Sequence, residues 1–284
     1  MSEQFELFRV SLIPRHQPSL FADMNASREQ WLRHIFSDSL EFSGHNNHYI
    51  YIPETVDLDT KTDDQFGTSK VIFGKIGRYV NREINKPPEE HFDQTITGYW
   101  RAALLLLDPT AHEDGQKIAL QALPEVGKPR ALLKRLCSQV NEMPEAPFHM
   151  EIGEIIDEEG FWAFVNYYDG EITRLGFNFV GPNMFGSDEE FDAELREFRD
   201  SENAETLQMS ISNADYVEPK TDRIHRAVRY ASNSGGKITA KSRTGETFNS
   251  TREVKRTSAA DAYEEGETLL NRVIRSIARV LGRE

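Results

Sequence analysis

"YWRAALLLLDP" (99–109) and "QKIALQALP" (116–124) decide the fold class. The first stretch holds an unbroken apolar run, Ala102–Leu107. That is far short of the roughly 20 residues a membrane-spanning helix needs, and suits a strand buried on both faces. Between the two lies "DPTAHEDG" (108–115), built from turn-forming Asp, Pro and Gly. A parallel crossover takes a dozen or more residues, so a connection this short makes a hairpin and the sheet antiparallel.

Working outward, the same alternation of strands and helices recurs. "FELFRVSLI" (5–13), "HYIYIPE" (48–54) and "KVIFGKIGRYV" (70–80) read as strands, with polar loops at 55–69 and 86–98. "SREQWLRHIFSDSL" (27–40) reads as a helix with Ser27 as N-cap and Trp31, Leu32, Ile35 and Phe36 on its apolar face. "PRALLKRLCSQVNEM" (129–143) reads as another, with Pro129 near its first turn and Cys137 on the packed face. "PEAP" (144–147) marks a boundary between lobes 1–145 and 146–284.

Beyond it, strands are expected at 148–156, 161–168, 170–182 and 205–213. A helix is expected over 187–202, where Ser187 and Glu190 make a capping box. A basic helix over 221–232 precedes an exposed hairpin, "GKITAKSR" and "ETFNSTREVKRTS", around Thr244–Gly245. An amphipathic helix over 260–281 closes the chain, with Leu270, Val273, Ile277 and Leu281 as a stripe that a second copy could cover. Antiparallel strands with interspersed helices in two lobes define an α+β protein.

The chain has 284 residues, a net charge of −14 and one cysteine. A single cysteine allows no internal disulfide and suits a reducing cytoplasm. The N-terminus lacks the basic and apolar segments of a signal peptide. The charge is unevenly spread: residues 220–256 carry +7, leaving −21 for the rest. Ten cations make up that segment, Lys220, Arg223, Arg226, Arg229, Lys237, Lys241, Arg243, Arg252, Lys255 and Arg256.

Arg223, Arg226 and Arg229 recur every three residues along the helix, away from Ile224, Val228 and Ala231. Lys237, Thr239, Lys241 and Arg243 share one face of the hairpin at period two. Guanidinium forks and small hydroxyl donors suit phosphate, and the scarcity of interleaved aromatics favours duplex backbone over a stacking platform for single strands. The expected partner is double-stranded DNA. No catalytic residue, metal ligand set or cofactor is assigned.

Two alternatives stand beside this. Asp108, Asp114 (or Glu113) and Lys117 flank the 108–115 turn as a metal-dependent nuclease would require, although Gln116 stands where a second acid is usual. The acidic helix 187–202 would suit a protein-interaction module or a duplex mimic. His45 and His48 stand three apart with His34 upstream; the pair could ligate a metal only with a third ligand in reach, and they read as loop histidines before a strand.

"GHNNHYIYIPE" (44–54), "TKTDD" (60–64), "GKITAKSRTGET" (236–247) and the Arg-rich terminal helix together resemble the RexA-like phage-exclusion proteins, or a sister family of antiphage DNA-binding subunits. The hairpin at 99–124 has no counterpart there. The resemblance implies a two-lobed, dimeric, cytoplasmic DNA-binding protein of low sequence preference. It also implies a small membrane protein as partner, without membrane insertion of this chain itself.

Overall fold

The computed structural model describes residues 4–15, 27–44, 47–54, 71–112, 115–180, 197, 201, 206–234, 236–252, 255–258 and 273. Among these, two antiparallel sheets carry the architecture, and the fold is α+β. The first sheet has eight strands: β1 (Gln4–Pro14), β2 (Leu40–Gly44), β3 (Asn47–Pro53), β4 (Ile72–Asn85), β5 (Gln94–Asp108), β6 (Gln116–Gln121), β7 (Phe148–Glu154) and β12 (Arg256–Ser258). Its order is β12-β1-β6-β5-β4-β3-β2, with β7 on the same edge of β1 as β12. The 99–124 hairpin is present, with Leu105 opposite Leu120 and Asp108 opposite Lys117.

Two helices cover one face of this sheet. They are α1 (Arg28–Ile35), capped by a reciprocal Ser27–Gln30 box, and α2 (Pro129–Asn141). Trp31, Leu32, Leu132, Leu136 and Cys137 enter one core with Phe8, Tyr51, Ile76 and Leu105. The Tyr51 ring lies directly over Gly74, where a Cβ would come within 2.2 Å of it. The opposite face is also apolar in its middle, since Phe5, Leu7, Phe73, Leu106 and Ala119 are buried too.

The second sheet runs β11-β10-β8-β9, from β8 (Ile172–Val180), β9 (Thr206–Ser212), β10 (Lys237–Ser242) and β11 (Thr247–Asn249). Helices α3 (Glu158–Tyr167) and α4 (Asp222–Ser234) join its core, where Phe161, Val165, Ile224, Ala227 and Val228 pack with Leu175, Phe177, Ile238 and Ala240. Between β7 and β12, Leu7 of β1 accepts from the Ile155 N–H and donates to the Lys255 carbonyl, and Lys255 donates to Ile155; the next residue, Ile156, donates to the Ser232 carbonyl of α4. Thus β7 and β12, both beyond the 144–147 prolines, complete the first sheet.

Three expectations need correction. The strand expected at 161–168 is helical. Asp157 caps it by accepting from the Glu159 N–H, two acids sit in its first turn, and Phe161 and Val165 bury at i, i+4. Local capping and the helical spacing outweighed the strand propensity of its aromatics. The loop expected at 86–98 is shorter, 86–93, because β5 begins at Gln94 and stays paired with β4 out to Asn85–Gln94. The hairpin partner expected over 246–258 is only three residues long, and 256–258 crosses to the first sheet. The helices expected at 187–202 and 260–281 lie outside the described residues except Glu197, Ser201 and Val273, each helical. His45, Glu113, Asp114 and the side chain of Arg252 lie outside them as well.

Candidate nucleic-acid interface

Period two sorts the residues of the second sheet into opposite faces. Leu175, Phe177, Phe179, Ile238, Ala240 and Phe248 turn inward onto α3 and α4. The other face follows from the register. Lys237 lies opposite Asn178, Thr239 opposite Gly176 and Lys241 opposite Arg174. Those β8 residues lie opposite Gln208, Ser210 and Ser212 of β9, while Thr239 and Lys241 face Asn249 and Thr247 of β11. None of these eleven positions holds an acid, in a chain of net charge −14. None holds an aromatic ring either.

Arg174 and Lys241 are exposed, and neither makes an ion pair with a described residue. They are direct cross-strand neighbours, a like-charge pairing that disfavours the free sheet. Past this pair the register shifts, and Ser242 meets Ile172, so Thr173 is left over on β8. A bulge of this kind bends and twists the strand. A depression of about 410 Å³ opens here, lined by Arg174, Lys241, Arg243, Ser212 and Asn213 among others.

The structure does not gather the ten sequence-nominated cations on one surface. Arg223 and Arg229 are exposed on α4, whose inner side packs against the apolar face of the sheet, so the arginine ridge and the Lys237–Lys241 face point in opposite directions. Arg229 lies near Glu158, whose carboxyl is pushed up from its ordinary value by burial, opposed by a Trp162 hydrogen bond and by the charges of Arg229 and His225. The His225 ring stacks on Trp162 at 4.2 Å, joining α4 to α3.

Lys220 pairs with Asp169 at 3.0 Å, Arg256 with Glu6 at 3.1 Å and Arg243 with Glu171 at 3.7 Å. Lys255 spends its backbone at the junction with β1. Of the nominated residues, Lys237, Lys241 and Arg243 therefore stand together, and the structure adds Arg174. Its signal was present in "TRLGFNF" (173–179), where Arg174, Gly176 and Asn178 alternate with Leu175, Phe177 and Phe179.

At the nuclease alternative, Asp108 Oδ2 lies 2.9 Å from His112 Nε2 and Oδ1 accepts from the Thr110 N–H. Lys117 sits directly across from Asp108. Among the described residues no three His, Cys, Asp or Glu side chains converge as a metal-holding group. His48 lies 3.6 Å from Glu41 on the exposed edge. No described helix is long and apolar enough to cross a membrane. Comparison with protein-family models, with curated proteins and with solved structures returned no match.

Proposed function

We propose that this chain binds duplex DNA with little sequence discrimination through the outward face of its second sheet, in a system that blocks phage growth. The acid-free face carrying Arg174, Lys237 and Lys241 is the observation that supports the reading. Lys237 and Lys241 lie four residues apart, roughly 13 Å along a strand. The Thr239 hydroxyl between them is spent on the Gly176 carbonyl, while Gln208, Ser210 and Thr247 on the same face can donate to phosphate oxygens. Without aromatics the face has nothing to stack on bases, which favours backbone contact over single-strand capture. Phosphate contacts position a protein without reading sequence, so discrimination is low.

The phage-exclusion role, the cytoplasmic location and the small membrane partner come from the resemblance in residues 44–64 and 236–247. Self-association belongs to the same proposal. Val273 of the expected stripe is only 1% exposed within the single chain, so that part of the stripe is already covered.

The test is gel retardation of two unrelated duplexes, with and without Mg²⁺. Retarded, intact DNA with affinities within about tenfold of each other is expected. Cut DNA would favour the Asp108–Lys117 site instead. A preference of a thousandfold for one duplex would end the proposal, as would no retardation.

A further inference from the structure

We infer that the depression at the end of the second sheet binds a phosphomonoester dianion, the group found at a 5′-phosphorylated nucleic-acid end and on a free mononucleotide. The inference rests on reading the outward sheet face as anion-binding, and assigns its end a separate task. Three cations converge there from two strands: Arg174 from β8, Lys241 from β10 and Arg243 just beyond it. No carboxylate lines the depression. The nearest carboxylate partner, Glu171, lies 3.7 Å from Arg243, a long contact between two partly exposed groups. Arg174 and Lys241 repel each other across the strands, and a bound dianion would relieve that repulsion.

The neutral groups fit the same ligand. Asn213 Oδ1 accepts from the Asp215 N–H, which leaves the Nδ2 end as the donor. Ser212 adds a hydroxyl. Ser242 is already used: its hydroxyl bonds Thr244 and accepts from the Glu246 N–H, which fixes the turn that carries Arg243.

Shape separates this site from the open face. A phosphodiester inside a strand continues in both directions and suits the flat row beside Lys237. A concavity of about 410 Å³ where the strands end suits a terminal group. The second ionisation of a phosphomonoester lies near pH 6, so a dianion is available at neutral pH to match several cations.

The experiment compares one 20-base-pair duplex carrying 5′-phosphates with the same duplex carrying 5′-hydroxyls, by fluorescence anisotropy at fixed ionic strength. Calorimetry with AMP and adenosine runs beside it. The 5′-phosphates should tighten binding by about tenfold at pH 7.5, and the advantage should shrink at pH 5 as the dianion gains a proton. Ala214 also lines the depression, so Ala214→Trp, which puts a bulky side chain there and leaves every cation in place, should abolish the advantage and keep the affinity for the 5′-hydroxyl duplex. Ala214→Leu is the smaller block should the first variant melt early.

AMP binding without either duplex would uphold the site, assign it to free mononucleotides and end the DNA reading. Equal affinity for both duplexes with no AMP binding would overturn the site and keep the DNA reading. Persistence of the phosphate advantage in a folded blocked variant would also overturn the site. Failure of every ligand would overturn both.

Discussion

Cys137 shows how a residue's surroundings silence its chemistry. It is 5% exposed on the inner side of α2, and burial pushes its thiol up to about 12. A thiolate is the reactive species, so the native protein should react negligibly with Ellman's reagent at pH 8 and release one equivalent in denaturant. Rapid reaction of the native form would contradict this packing. Burial acts the same way on Glu158, a carboxyl in which it is only partly offset by Trp162, Arg229 and His225. Its folded pKa is raised, so the folded state holds the proton longer than the unfolded chain. Stability from this group is therefore fully present below the unfolded pKa and is lost as pH rises through the folded pKa. Relative to the parent, Glu158→Gln should gain thermal stability between pH 4 and pH 7. A difference that is flat or falls with pH would reject that role.

At the scale of elements, the longest hairpin divides into two regimes. β3 reaches β4 only as far as Arg78, and β6 reaches β5 only at Leu105–Asp108. Beyond Arg78 and Arg101 the two strands have only each other among the described strands, while Ile84, Phe92, Ile96 and Trp100 stay exposed. Two-stranded hairpins are marginal in water on their own. Amides at 80–85 and 94–99 should therefore exchange with deuterium much faster than those at 72–76 and 103–107. Equal protection along the arm would mean that something covers it in solution. The sequence marked the buried base of this hairpin, because "AALLLL" is continuous and apolar. It did not mark the arm, because "NREINKPPEEHFDQTIT" (81–97) is polar and holds two prolines, and only the register with its partner makes it a strand. The helix at 158–167 was hidden for the opposite reason: "FWAFVNYY" (161–168) is rich in strand-favouring aromatics, while its helix signals are one Asp cap and two buried positions.

For the whole molecule, the sequence showed that positive charge concentrates in residues 220–256, and it showed each periodicity, but not how the periods are arranged in space. The arginine row and the lysine row both suit phosphate, yet α4 lies against the inner side of the sheet and sends them apart. An α-helix is about 10 Å across, and the sheet lies beneath it, so one straight duplex cannot lie on both surfaces. Arg174 was missed because it sits 67 residues from its cross-strand neighbour Lys241, a distance only pairing of β8 with β10 closes. The two surfaces make separable predictions. Each phosphate contact releases about one counterion, worth about 0.9 in the slope of log affinity against log salt. Changing Arg174, Lys237 and Lys241 together to Gln should lower that slope by about 2–3 and weaken binding at physiological salt by at least about tenfold. Changing Arg223, Arg226 and Arg229 together to Gln should leave the slope within about 1 of the parent. Both variants should keep the parent's circular dichroism, since exposed substitutions usually shift stability by only about 0.5 kcal/mol. Arg226 and Lys237 are only partly exposed, so the Arg223–Arg229 and Arg174–Lys241 double variants are the controls if either triple melts early. The reverse pattern, a slope that falls with the ridge and holds with the sheet face, would move the DNA to α4. That result would leave the acid-free face to be explained by its terminal depression alone.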